Sequence, residues 1–377
     1  MKKSLLLGVA LGLVPTAPAA CASAGPAPRE VADPIVYGGA AAATDGPFLY
    51  VANQEAASVT VIDLTTNEVA EVIDLEAMGY GATAKPHDIA VEPDGSHWYV
   101  SLIAANRVLK FDRNNELVAS VEFERPGLLA LHPTENWLFV GRSMAAVNPP
   151  QRIGRIDRES MEIEEFDVFI PRPHALEIGP SGDRVYTASL AENTIVSVDA
   201  ESGEAELLRL PGSGMHPHTI VQFAISPDGG TLVATAEMTA KLLVFSLEDP
   251  ANPRLVRELD VGSRPWHPTY TPDGREVWFG NLGANEVTVV DAASWEIEDV
   301  IRVPGLAEPH GSAISPDGRY VYIANRNEKG TLESSVDFGR DTPNGNVVVL
   351  DAATHQTVAV IETPHYSAGI GLASSPR

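Results

Sequence analysis

Six of the ten histidines in this chain fall at one repeated place, and that placement is the first sign of chemistry. Lys85-Pro86-His87 precedes an apolar run and the turn Pro93-Asp94-Gly95. Arg172-Pro173-His174 precedes Pro180-Ser181-Gly182, and Glu308-Pro309-His310 precedes Pro316-Asp317-Gly318. Each of these histidines lies six residues before its turn proline. Looser copies occur at His216-Pro217-His218, Pro265-Trp266-His267 and Pro364-His365. Imidazoles that converge in a confined space repel one another when protonated, and a shared cation reconciles them. His87, His174, His218, His267, His310 and His365 are therefore a candidate pool of metal ligands, of which three or four would bind one ion. A histidine donor set without thiolate fits a transition metal, copper first, with zinc or iron as alternatives. The plainer reading is a structural histidine copied with each repeat.

Neighbouring residues extend the candidate site. Trp266 holds the six-residue offset in its own repeat, before Pro272, and would wall the site. Arg142 and Arg326 begin two long polar segments, 142–152 and 326–346, expected to cover the histidines and to hold an anionic substrate. Asp88, Glu177 and Glu308 stand close enough in sequence to support imidazole N–H groups from outside. Gly127 takes the histidine position before His132-Pro133, leaving a gap through which a small-molecule substrate would enter. The stretch 48–377 has no cysteine, which excludes a blue-copper site and a Cys-x-x-Cys-His haem attachment. No phosphate-binding glycine loop or Gly-x-Ser-x-Gly elbow occurs.

The elements that position these residues are strands. Short runs rich in Val, Ile, Tyr, Phe and Trp alternate with Gly, Pro, Asp and Asn turns, four runs per unit of about 40–55 residues. In one unit the runs are His87–Val91, Trp98–Leu102, Arg107–Asp112 and Leu117–Phe123. Third runs recur as Val59–Asp63, Ile195–Asp199, Val287–Asp291 and Val347–Asp351. Seven first runs begin near His87, Gly127, His174, His218, Trp266, His310 and His365. The chain opens with runs two to four and ends with a lone first run, so the two ends complete one unit and leave no open sheet edge. The expectation is an all-β, seven-bladed β-propeller of four-stranded antiparallel blades over residues 48–377, its histidines ringing one channel mouth.

With Tyr50-Val51-Ala52-Asn53, Tyr322-Ile323-Ala324-Asn325, the Pro-Asp-Gly turns and the Val-x-Val-x-Asp runs, the chain resembles the YVTN/YncE-like seven-bladed propellers. The histidine ring resembles the copper propeller of nitrous oxide reductase and, more loosely, the selenium-binding/methanethiol oxidase family. These resemblances imply a copper oxidoreductase. Other seven-bladed propellers imply a metal-assisted lyase or lactonase instead, or a non-enzymatic binding or metal-handling protein.

The remaining sequence bounds the setting. Lys2, Lys3 and the apolar stretch Leu5–Val14 read as an export signal over residues 1–24, and 25–47 as a flexible linker. Ala22-Ser23-Ala24 offers an ordinary cleavage site. Cys21, the one cysteine of the 377 residues, offers a lipid anchor instead. Both place the mature protein outside the cytoplasm, periplasmic or secreted. Acidic residues outnumber basic ones 51 to 26, a net charge of −25, which argues against nucleic acid as a partner.

Overall fold

The computed structural model describes residues 47–145, 151–212 and 216–373, so the expected signal, linker and Cys21 lie outside the described residues. Among these, seven four-stranded antiparallel sheets form. Neighbouring innermost strands touch in cyclic order, from Pro86–Val91 round to Ser367–Leu372 and back, so the sheets stand as blades around a channel. The last strand completes the first blade. Ser367–Leu372 pairs with Phe48–Asn53, placing Leu49 opposite Leu372 and Val51 opposite Ile370.

Each blade is apolar on both faces because each face meets a neighbour. The core is accordingly divided into layers between blades rather than gathered in one centre. Trp98 of the second blade, for example, stacks on Tyr50 of the first and on Phe111 of its own blade. This explains why the inner three strands read as near-continuous apolar runs while the outermost, such as Glu68–Asp74, is mostly exposed.

The repeated motifs have specific jobs. The Asn that ends Tyr-Val-Ala-Asn is buried and ties its hairpin: Asn53 Nδ2 donates to Ser58 Oγ at 3.1 Å and Thr60 Oγ1 at 2.8 Å. Asn281 Nδ2 does the same with Glu286 and Thr288. In three of the four Pro-Asp-Gly turns the aspartate accepts from the Ser or Thr two residues before it, as Asp317 does from Ser315 Oγ at 2.6 Å, while Asp94 accepts from Ser96 N. The glycine takes a left-handed φ, 66° at Gly95 and 71° at Gly318.

Three strand starts differ from the sequence expectation. The innermost strand near Trp266 is reduced to Thr269–Tyr270 with an isolated bridge from Pro265 to Asn281. Pro268 has no N–H to give the ladder, which accounts for the interruption. The strands expected at His218 and His365 begin later, at Ile220 and Ser367.

Candidate functional site

The chain enters the channel seven times in one way. The residue ahead of each innermost strand, or of the Pro265 bridge, is left-handed: Lys85 (φ 57°), Arg125 (49°), Arg172 (52°), Thr219 (56°), Arg264 (57°), Glu308 (59°) and Tyr366 (68°). Non-glycine residues adopt this conformation at a cost of order 1–3 kcal/mol, so its sevenfold recurrence marks a position imposed by the surrounding blades. Next comes a register shift, between Pro86 and Ile89, Pro126 and Leu129, Pro173 and Ala175, Ile220 and Gln222, and Pro309 and Ser312. Such a bulge lifts one residue out of the ladder and re-aims its side chain.

Pairing with the second strand fixes equivalence. Pro86, Pro126, Pro173, Ile220, Pro265, Pro309 and Ser367 face Leu102, Arg142, Ser189, Ala236, Asn281, Asn325 and Asn53. The re-aimed residues are therefore His87, Gly127, His174, Val221, Trp266, His310 and Ala368. Ring centres of His87 lie 6.0 Å from His174 and 5.8 Å from His310. His267, one residue beyond Trp266, lies 4.7 Å from His310. Trp266 packs on His310 at 4.3 Å. All five side chains are buried.

His218 and His365 do not join this cluster as equivalents, because each lies two residues ahead of its strand. His218 Nδ1 meets Thr239 Oγ1 at 2.9 Å, and the residue lines a rim pocket with Met238, Lys241 and Glu258. His365 Nδ1 donates to the Pro343 carbonyl at 2.7 Å.

The protonation pattern inside the cluster follows from its partners. The Arg142 carbonyl can only accept, so His174 Nδ1, 2.9 Å away, carries the proton and Nε2 keeps its lone pair. His87 Nδ1 meets Gln54 Oε1 at 2.9 Å with the same consequence. The Nε2 atoms of His87, His174 and His267, and both ring nitrogens of His310, are buried without a hydrogen-bond partner among the described residues. Burial first, then neighbouring imidazoles and Arg326, hold His87 well below the usual histidine range. Burial and then Arg326 act most strongly on His310, in the same direction. Burial pushes His174 down to about 4 and His267 to about 3. These imidazoles are neutral at physiological pH.

A metal ion fits this donor set chemically. A metal–nitrogen bond of about 2.0–2.1 Å puts two imidazole centres sharing a tetrahedral ion roughly 5 Å apart, close to the spacings here. The outward N–H of His174 is held by a backbone carbonyl, the usual support for a ligating imidazole. Among the described residues no group of three or more His, Cys, Asp or Glu is placed to hold a metal ion as it stands. Ring rotation would have to bring the donors together, and His310, buried against Trp266 and His267, is tied by no hydrogen bond at either nitrogen.

The carboxylates expected to support the imidazoles do other work. Asp88 Oδ2 accepts from Leu129 N at 2.8 Å, closing a backbone donor of the next blade. Glu308 pairs with Lys329 at 2.7 Å. Burial pushes both Asp88 and Glu177 up to about 7. Arg142 is taken up by structure: it donates to the carbonyls of Glu124 and Arg152, pairs with Glu165 at 2.9 Å and lies 3.8 Å over the Phe123 ring. Gly127 is not an entrance. A Cβ there would lie 2.6 Å from the Arg142 carbonyl oxygen, the same atom that orients His174, so glycine is required by close backbone approach.

Arg326 does belong to the site. Its guanidinium lies 4.3 Å from the Trp266 ring and 4.8 Å from Tyr366. Met144, from the first long segment, packs on Val221, Trp266 and Leu282 and so covers the Trp266 side of the cluster. The second long segment is fastened by Glu362 of an outermost strand, which accepts from Ser335 N at 3.0 Å and Asn344 Nδ2 at 2.6 Å. Sequence reasoning missed Gln54 and the Arg142 carbonyl. Gln54 was traceable, since it follows Asn53 as Arg326 follows Asn325.

Comparison with known proteins bears on the scaffold. No curated protein matches the chain. Among solved structures, a functionally unknown protein from Desulfotomaculum acetoxidans DSM 771 matches with a TM-score of 0.69 at 15% identity, covering 87% of this chain and 99% of that one. Kuenenia stuttgartiensis hydrazine synthase matches at 0.62 and 20% identity, covering 77% and 90%. A streptogramin B lyase structure matches at 0.61 and 18% identity, covering 74% and 87%. At these identities the likeness extends to the fold alone. A family model described as "Lactonase, 7-bladed beta-propeller" matches residues 172–363, slightly more than half of the sequence and including His174, His218, His267 and His310. The chain belongs to this seven-bladed β-propeller lactonase family.

Proposed function

We propose that the protein is an exported metal-binding propeller whose channel histidines His87, His174, His267 and His310 hold one transition-metal ion, copper first, and act with it on a small molecule. The observation that carries this reading is the set of buried imidazole nitrogens without partners, combined with the outward N–H groups of His174 and His87 already engaged. Neutral buried donors left unpaired are costly, and a bound cation removes that cost. Bound copper would supply redox chemistry; zinc would supply Lewis-acid chemistry. The chain's own residues would orient the donors through Gln54 and the Arg142 carbonyl and exclude water with Trp266 and Met144.

Family membership favours a second reading, hydrolysis or elimination on a lactone or uronate. A histidine pushed down to about 3 or 4 is a weak general base near neutrality, so this reading also leans on a metal. Loading purified protein with Cu²⁺ or Zn²⁺ separates the two. A copper absorption band that bleaches on reduction supports the first. Lactone or uronate turnover by the colourless zinc form supports the second. Absence of bound metal, with stability unchanged by chelator, defeats both.

A further inference from the structure

Two groups beside the histidines cannot be explained by a metal. Trp266 is 2% exposed and its indole N–H has no partner among the described residues. Arg326 is partly buried, and its enclosed Nε likewise has none. Both are donors only, so neither can ligate a cation; each lacks an acceptor. They lie against each other, guanidinium on indole at 4.3 Å. Of the nearby acids, Glu237 accepts from Arg264 at 2.7 Å and Glu308 pairs with Lys329 at 2.7 Å, while Glu328 is exposed and forms no ion pair with Arg326. No ion pair forms at Arg326 among the described residues, although its near neighbour Lys329 has one. A cation held in a partly dry site without a counter-charge is unfavourable unless an anion joins it.

We propose that Trp266 and Arg326 form the seat of a small carboxylate at the channel mouth, directly against His310 and His267. The carboxylate oxygens accept from the indole and guanidinium N–H groups, and the Tyr366 ring backs the guanidinium at 4.8 Å. As the anchoring group of the substrate, this carboxylate rests on the proposed function; as a binding site it does not. One consequence joins the two. A divalent ion among the histidines repels the Arg326 guanidinium, and a bound anion offsets that repulsion. Anion and metal therefore bind with positive coupling, each tightening the other by the same factor.

Formate is the probe, titrated calorimetrically into metal-free protein at constant ionic strength held with sodium HEPES. The expected result is one formate per chain, weakened about tenfold or more in Arg326→Gln and several-fold in Trp266→Phe, in line with loss of a charged hydrogen-bond partner. If Arg326→Gln does not fold, Arg326→Lys and the wild-type thermal midpoint serve instead. Formate must raise that midpoint and must bind the lysine variant more weakly, because lysine lacks the planar fork. No formate uptake by wild type, or equal uptake by the variants, overturns the proposal. Co²⁺ binding is then followed with and without formate. Formate-dependent tightening in wild type but not in Arg326→Gln is expected. Co²⁺ binding by wild type that takes up no formate overturns the anion seat and leaves the metal reading intact, and uptake of both without mutual effect overturns the coupling. Formate uptake without Co²⁺ binding under any condition does the reverse.

Discussion

Replacing Glu177 by glutamine is expected to stabilise the protein above pH 7 and to leave it unchanged at pH 4. The Glu177 carboxyl is pushed from 4.5 up to about 7, by burial first and by Asp88 second. A folded-state pKa above the unfolded one means that the native state holds its proton longer. The associated stability is complete below pH 4.5 and is lost as pH rises to about 7. At about 1.4 kcal/mol per pH unit this amounts to about 3 kcal/mol, and partial exposure of the side chain reduces the realised effect to about 1–3 kcal/mol. Glutamine keeps the amide oxygen for the Ile178 N–H, 3.1 Å from Oε1 in the native protein, and cannot ionise. Urea unfolding of both proteins at pH 4, 6 and 8 reads the effect directly. Wild type should weaken between pH 4 and 8, with a smaller residual slope in the variant from Asp88, also pushed to about 7. Parallel curves for the two proteins would refute the assignment of a raised carboxyl pKa to Glu177.

Gly127→Ala should cost about 1–3 kcal/mol by denaturant unfolding, since its Cβ would lie 2.6 Å from the Arg142 carbonyl oxygen, and should also weaken metal uptake by displacing the atom that orients His174. Asn53→Ala removes two buried hydrogen bonds and leaves Ser58 and Thr60 without that donor; a loss of about 1–3 kcal/mol is expected in the same assay. Deleting residues 367–377 exposes the edge of Phe48–Asn53, so size-exclusion chromatography should find aggregate in place of monodisperse protein. His218→Ala and His365→Ala should leave metal content unchanged.

The repeat of strand runs and turns made the propeller legible, down to closure of the first blade by the last strand, because apolar alternation and Pro-Asp-Gly turns act locally. The identity of the re-aimed residues was only partly legible. The six-residue offset correctly grouped His87, His174 and His310 with Gly127 and Trp266, since all five share the same strand-to-turn length. His218 and His365 carry the same dipeptide chemistry but precede their strands by two residues; the nine-residue offset of His218 from Pro227 already signals its displacement, whereas for His365, with no following turn, only the pairing of Ser367 reveals it. Arg142 and Arg326 looked alike in sequence, each at the start of a long segment. Their roles part because Arg142 sits on the strand and finds Glu165, whereas Arg326 lies one residue past its strand and meets aromatic rings. The left-handed residues ahead of the strands carried no sequence signal, being Lys, Arg, Thr, Glu and Tyr alike.

The central claim is that the channel histidines hold a metal. It is tested most directly by elemental analysis of the full chain expressed in metal-replete medium, alongside a variant with His87, His174 and His310 all changed to alanine. About one transition-metal ion per chain in wild type and none in the folded variant is the predicted result. Equal metal content in the two proteins, or none in wild type after metal-replete expression, would contradict it.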